Sequence, residues 1–95
     1  MDNNILETIE ASAYKGFTIK EVAHIIGAAP SEFEQLFTDE TNEQVIAYKK
    51  GLYQAQADLR GQIMNSALSG SSPAQAEMTK YLKNASANLM NFDNG

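Results

Sequence analysis

The chain has 95 residues, 43% hydrophobic and 20% charged, with seven Lys/Arg against twelve Asp/Glu for a formal net charge of −5. That length fits one domain, and that much apolar material excludes a disordered tail or linker. The acidity counts against a nucleic-acid partner unless positive charge is concentrated locally, because neutralising phosphates supplies most of the non-specific affinity for DNA.

Cysteine is absent, which excludes disulfides, thiol nucleophiles and thiolate metal sites. Met1-Asp2-Asn3-Asn4 lacks the basic stretch and apolar core of a secretory signal. The apolar runs are too short to span a bilayer. A cytoplasmic location without membrane contact is therefore expected.

Apolar residues recur at helical spacing throughout, with no sustained alternation of period two. The first helix is expected from about Asn4 to Lys15, capped by Asp2 or Asn3, with Ile5, Ile9 and Ala13 on one stripe and Gly16 as its left-handed end. A second helix starts after Thr18, which with Glu21 three residues on forms a capping box. Its apolar face is Val22, Ala23 and Ile26, and Gly27 closes it. Pro30 opens a short third helix that buries Phe33, Leu36 and Phe37.

The fourth helix should run from about Asn42 to Leu68, with Val45, Tyr48, Leu52, Ala55, Leu59 and Ile63 as a seam close to that of a coiled coil. Gly51 and Gly61 fall inside it. A Gly70-Ser71-Ser72-Pro73 turn leads to a fifth helix, with Ser72 as cap and Gln75 at the box position. Its stripe is Met78, Tyr81, Leu82, Ala85 and Leu89, and residues 91–95 should fray. Two long helices across so short a turn predict an antiparallel hairpin. The fold class expected is all-α: a helix-turn-helix region over 1–40 and a helical hairpin over 41–90, in a single domain of residues 1–95.

The helix-turn-helix expectation rests on Ala23 and Gly27, four apart, followed by Phe33 and Leu36 at inward positions. Such a corner needs a small residue where the helices cross and a residue tolerant of left-handed backbone at the turn. Outward on the third helix lie Ser31, Glu32, Glu34, Gln35 and Thr38. Ser31 and Gln35 suit phosphate or base-edge contact. Residues 17–40, however, carry one lysine, Lys20, against five carboxylates. Lys15, Lys20, Lys49 and Lys50 are the candidate phosphate contacts, whereas Lys80 and Lys83 read as solvated surface.

The stretch Ala47-Tyr48-Lys49-Lys50-Gly51-Leu52-Tyr53-Gln54-Ala55-Gln56-Ala57 resembles a segment of bacteriophage terminase small subunits. In that family a helix-turn-helix precedes a Lys-Gly-containing helix rich in Ala and Glu. The run from Ile63 to Gly70, then Ala74 and Tyr81-Leu82-Lys83-Asn84, is similar to the next segment, so the resemblance covers about residues 16–84. It implies a non-enzymatic protein that recognises viral double-stranded DNA for packaging, as a homo-oligomer partnered with an ATP-hydrolysing terminase large subunit. DNA contact then falls on Lys15, Lys20, Ser31, Gln35, Lys49 and Lys50, and assembly on the long helix. The acidic third helix departs from that pattern, as does the lack of a long C-terminal segment for docking the large subunit. The alternatives are a protein-interaction module on the same fold or a small transcriptional regulator.

No catalytic set, cofactor or metal is expected. His24 is alone, without a carboxylate pair or Cys to make a ligand set, and reads as a partly buried boundary residue. Glu7/Glu10 and Glu32/Glu34 are carboxylate pairs with no evident pocket around them. Gly27-Ala28-Ala29-Pro30 has neither the spacing nor the Lys-Ser/Thr ending of a phosphate loop.

Overall fold

A computed structural model of the chain describes residues 3–94. The described residues form an all-helical protein with no strand: α1 (Asn3–Tyr14), α2 (Ile19–Ile26), α3 (Pro30–Leu36), α4 (Glu43–Leu68) and α5 (Ser72–Asn94). The chain divides into two compact units, Met1–Ala57 and Asp58–Gly95, with the boundary inside α4.

The helix ends follow local chemistry. Thr18 caps α2: its hydroxyl accepts from the Glu21 amide at 3.2 Å, and the Glu21 carboxylate accepts from the Thr18 amide at 2.9 Å. Two of the amides that a helix start leaves unpaired are thereby satisfied. At the other end Gly27 takes φ +78°, and the Ala28 amide donates back to the Ala23 carbonyl at 2.9 Å. That backbone is left-handed, where a side chain would be strained. Gly16 and Gly70 close α1 and α4 in the same way.

Asn42 caps α4, its side-chain oxygen accepting from the Gln44 and Val45 amides at 2.8 and 3.4 Å. Of the two caps expected for α1, Asp2 lies outside the described residues and Asn3 is already the first residue of the helix. Ahead of α5 the capping serine is Ser71, one residue earlier than expected, with the Ala74 amide donating to its hydroxyl at 3.4 Å. Gln75 does not return to that cap. Its side-chain amide crosses the turn and donates to the Ala67 carbonyl at 3.0 Å, a second bond to an oxygen that already accepts from the Gly70 amide at 3.1 Å. α5 continues to Asn94, through most of the stretch expected to fray.

The first unit holds the core. Ile9 and Ala13 of α1, Val22 and Ala23 of α2, Phe33 of α3, and Ala47 and Tyr48 of α4 are buried together. Phe33 meets Phe37 edge-on, ring centres 5.4 Å apart, and Phe37 meets Tyr48 in the same way at 5.4 Å. Such perpendicular pairs set a ring edge against a ring face, the favoured electrostatic arrangement. This aromatic column ties α3 to α4. The Tyr48 hydroxyl then donates to the Phe17 carbonyl at 2.8 Å, fixing the α1–α2 turn to the same helix.

The second unit is thinner. The end of α4 and the start of α5 run antiparallel: Arg60 lies over the Tyr81 ring at 4.1 Å, and Gln75 reaches Ala67. Only Ala67 and Met78 are buried hydrophobics there among the described residues. Leu59, Leu82, Ala85 and Leu89, expected on buried stripes, are exposed instead. Periodicity gives a stripe but not a partner for it, and the hairpin is bridged by long side chains rather than by interdigitated leucines. His24 is likewise exposed rather than partly buried. It lies on α2 next to the buried pair Val22 and Ala23 but on the outer side of the helix.

Candidate nucleic-acid interface

The corner between α2 and α3 is built as a helix-turn-helix requires. Ala23 is fully buried in the core that also takes Phe33, so α3 packs against a small residue of α2. Gly27 makes the turn, and Pro30 starts α3 with its φ already helical. Ala29 occupies the cap position and provides no side-chain hydrogen bond.

On the outer side of α3, Ser31, Glu32, Glu34 and Gln35 are all exposed, as is Thr38 just beyond. The Thr38 hydroxyl donates to the Gln35 carbonyl at 2.9 Å and is thus partly occupied with the backbone. Ser31 and Gln35 share that side with the two carboxylates.

The four lysines fall into two groups. Lys20 lines a shallow concavity with Thr18, Ile19, Tyr48 and Glu34, so it borders the carboxylate side of α3. Lys49 lies 3.9 Å from Glu40, in the connection between α3 and α4. These two flank the helix-turn-helix. Lys50 and Lys15 belong elsewhere, on a pair of grooves between α1 and α4 that share Glu7 and Glu10. The Lys50 ammonium is 3.7 Å from the Glu10 carboxylate. The six candidate residues therefore do not form one surface: Lys20, Ser31, Gln35 and Lys49 lie around α3, and Lys15 and Lys50 along α1.

Exposed pairs of this kind contribute about 0–1 kcal/mol and are readily exchanged. Lys49 and Lys50 can each leave the carboxylate for another anion at little cost, but the carboxylate then stays close to the incoming charge.

Two titratable groups are perturbed in this unit. Burial, and secondarily the charge of Glu21, raise the Tyr48 phenol above the usual tyrosine value. The Asp39 carboxylate is lowered by hydrogen bonds from the Thr41 hydroxyl at 2.6 Å and the Thr41 amide at 3.0 Å, which hold the α3–α4 turn.

Sequence reasoning missed two features near these residues. Glu7 and Glu10 do border concavities, floored by Leu6, Ile46 and Ala47 in one case and by Ala11 and Tyr14 in the other. And Gly51 is where α4 touches α1: a Cβ there would overlap the Glu10 carbonyl oxygen and lie 2.9 Å from its carbon and 3.1 Å from the Ala13 Cβ. A glycine inside a helical pattern was the signal available for such an approach.

Among the described residues no group of three or more His, Asp or Glu is placed to hold a metal ion, and no helix is long and apolar enough to cross a membrane. Compared with protein-family models, curated proteins and solved structures, the chain matches none of them.

Proposed function

We propose that this chain is a non-enzymatic double-stranded-DNA-binding module of terminase-small-subunit type, working as a homo-oligomer beside an ATP-hydrolysing large subunit. The observation that carries the reading is the α2–Gly27–α3 corner, with Ser31 and Gln35 exposed on α3 and Lys20 and Lys49 flanking it. In this geometry α3 enters the major groove, Gln35 faces a base edge, and the two lysines meet phosphates on either side. With two flanking lysines per copy, the dependence of log affinity on log salt is about −1.8 per copy, a shallow slope that goes with weak binding. Several copies on one duplex turn weak contacts into useful affinity, because each further contact is intramolecular.

The test is binding to duplex DNA at low salt, followed by fluorescence anisotropy. Affinity should fall as salt rises, Lys20→Glu should abolish binding, and Glu34→Gln should strengthen it by about tenfold through loss of a repelled charge. Absence of any binding at about 50 mM salt overturns the reading. A second reading is favoured by Glu32 and Glu34, both exposed on α3. On that reading the same corner docks a basic protein segment. DNA is then ignored at every salt concentration, and Glu34→Gln weakens the protein complex instead.

A further inference from the structure

The grooves between α1 and α4 combine an apolar floor with an acidic rim, on a side of the first unit away from α3. They lie end to end, since Glu7 and Glu10 border both. The first, of about 350 Å³, is lined by the early part of each helix, and the second, of about 280 Å³, by the next turns, as far as Lys15 and Gln54. Together they follow α1 from Leu6 to Lys15, about 14 Å at 1.5 Å per residue. Their apolar surface is open: Ile46 in the first is 51% exposed and Tyr14 in the second 44%.

The charge is uneven along this channel. The first groove has three carboxylates, Glu7, Glu10 and Glu43, against one ammonium, that of Lys50. Lys50 is committed to Glu10 at 3.7 Å, and Glu7 and Glu43 have no ion-pair partner among the described residues.

From this combination we infer that the α1–α4 channel binds a short amphipathic helix of a partner protein, its apolar side on Leu6, Ile46 and Ala47 and its Lys or Arg side chains against Glu7 and Glu43. The inference goes beyond the proposed function and does not depend on DNA.

Charge complementarity selects this occupant. A nucleic acid or an anionic lipid surface would set phosphates against the same carboxylates. A second copy laid channel to channel would set acid against acid, in a chain whose net charge is already −5. Shape selects a helix, because a channel between two helices accepts apolar residues spaced three and four apart, and about ten residues of helix match its length. Exposed ion pairs add little affinity each, so the apolar floor supplies most of the binding and the carboxylates decide which helix is accepted.

The experiment titrates the full chain into a labelled helical peptide of about 14 residues, with leucines spaced three and four apart and lysines flanking them, followed by anisotropy. It should bind. A peptide of the same composition with its leucines scattered around the helix, or one with glutamates for lysines, should bind at least about tenfold more weakly. Glu7→Lys/Glu43→Lys should weaken binding about tenfold, whereas Glu32→Lys/Glu34→Lys, the same change in net charge placed on α3, should alter it by less than about twofold. Because a lysine at 43 opposes the dipole at the start of α4 and could loosen the fold, the unaltered chain gives a second reading: on adding peptide, the largest amide shifts should fall at Leu6, Ile46 and Ala47. No binding at about 1 mM peptide overturns the inference. So do equal binding of the scattered peptide, equal loss from the two charge reversals, or shifts centred on α3, the last being the result expected if α3 docks the basic segment instead. Failure to bind DNA, with the peptide still bound at α1 and α4, leaves the channel standing and removes only the DNA reading.

Discussion

Gly51 and Gly61 lie in the interior of the same helix, and replacing each by alanine should move stability in opposite directions. Alanine is favoured over glycine in a helix by about 1 kcal/mol wherever nothing else intervenes. At Gly61 nothing stands within 4 Å of the added Cβ, so Gly61→Ala should gain that amount. At Gly51 the same methyl group runs into the Glu10 carbonyl and closes to 3.1 Å of the Ala13 Cβ. Both obstacles belong to the buried side of α1, and the first is backbone, which cannot rotate away. Overpacking costs about 1–3 kcal/mol in such places, and a backbone obstacle belongs at the upper end. After the helical gain of about 1 kcal/mol, Gly51→Ala should lose about 1–2 kcal/mol. The two variants then differ by about 2–3 kcal/mol, or roughly 10–20 °C in Tm for a chain of this size. Thermal unfolding followed by far-UV circular dichroism measures this, and the double variant should show the sum, since the sites are ten residues apart with no shared neighbour. A Gly51→Ala protein as stable as the parent would refute the close approach of α1 and α4.

Two further outcomes follow from the same unit. The Tyr48 phenol is raised in the fold, so its contribution to stability is fully present below the ordinary tyrosine value of about 10 and lost as pH climbs through the higher folded value. Urea titrations at increasing alkalinity should show that loss, whereas Tyr48→Phe should lower stability at neutral pH by about 0.5–1.5 kcal/mol, through the missing bond to the Phe17 carbonyl, and flatten the alkaline limb. Ala29 leaves the start of α3 without a side-chain cap, so Ala29→Ser should raise stability by about 1 kcal/mol in chemical denaturation.

Much of the helical layout was legible because its signals are local. The reciprocal bonds of Thr18 and Glu21, the left-handed glycines at 16, 27 and 70, and Pro30 at the start of α3 each act within about five residues. What stayed hidden depends on which surfaces meet. The stripe through Leu59 and Leu82 has the spacing of a buried face and is exposed, because spacing does not specify a neighbour. Gln75 has the position of a capping residue, yet it bonds across the turn to the Ala67 carbonyl of α4, a partner that local spacing does not name. The candidate site was legible as a set of residue types and not as a surface. Lys49 and Lys50 are adjacent in sequence, but their ammonium groups face Glu40 in the α3–α4 connection and Glu10 on α1.

The contact at Gly51 also bears on how α4 finds its axial position. Where two helices meet through side chains, one can slip along the other by a turn and repack. Here the meeting point is a backbone carbonyl against a bare α-carbon, a weakly attractive arrangement of Cα–H toward oxygen. A slip of one turn would present Ala47 or Ala55 to the Glu10 carbonyl, and either methyl group would push the helices apart. Gly51 therefore acts as a register notch. It sets where α4 stops its travel along α1, and through that stop it brings Tyr48 level with both the Phe17 carbonyl and the Phe37 ring.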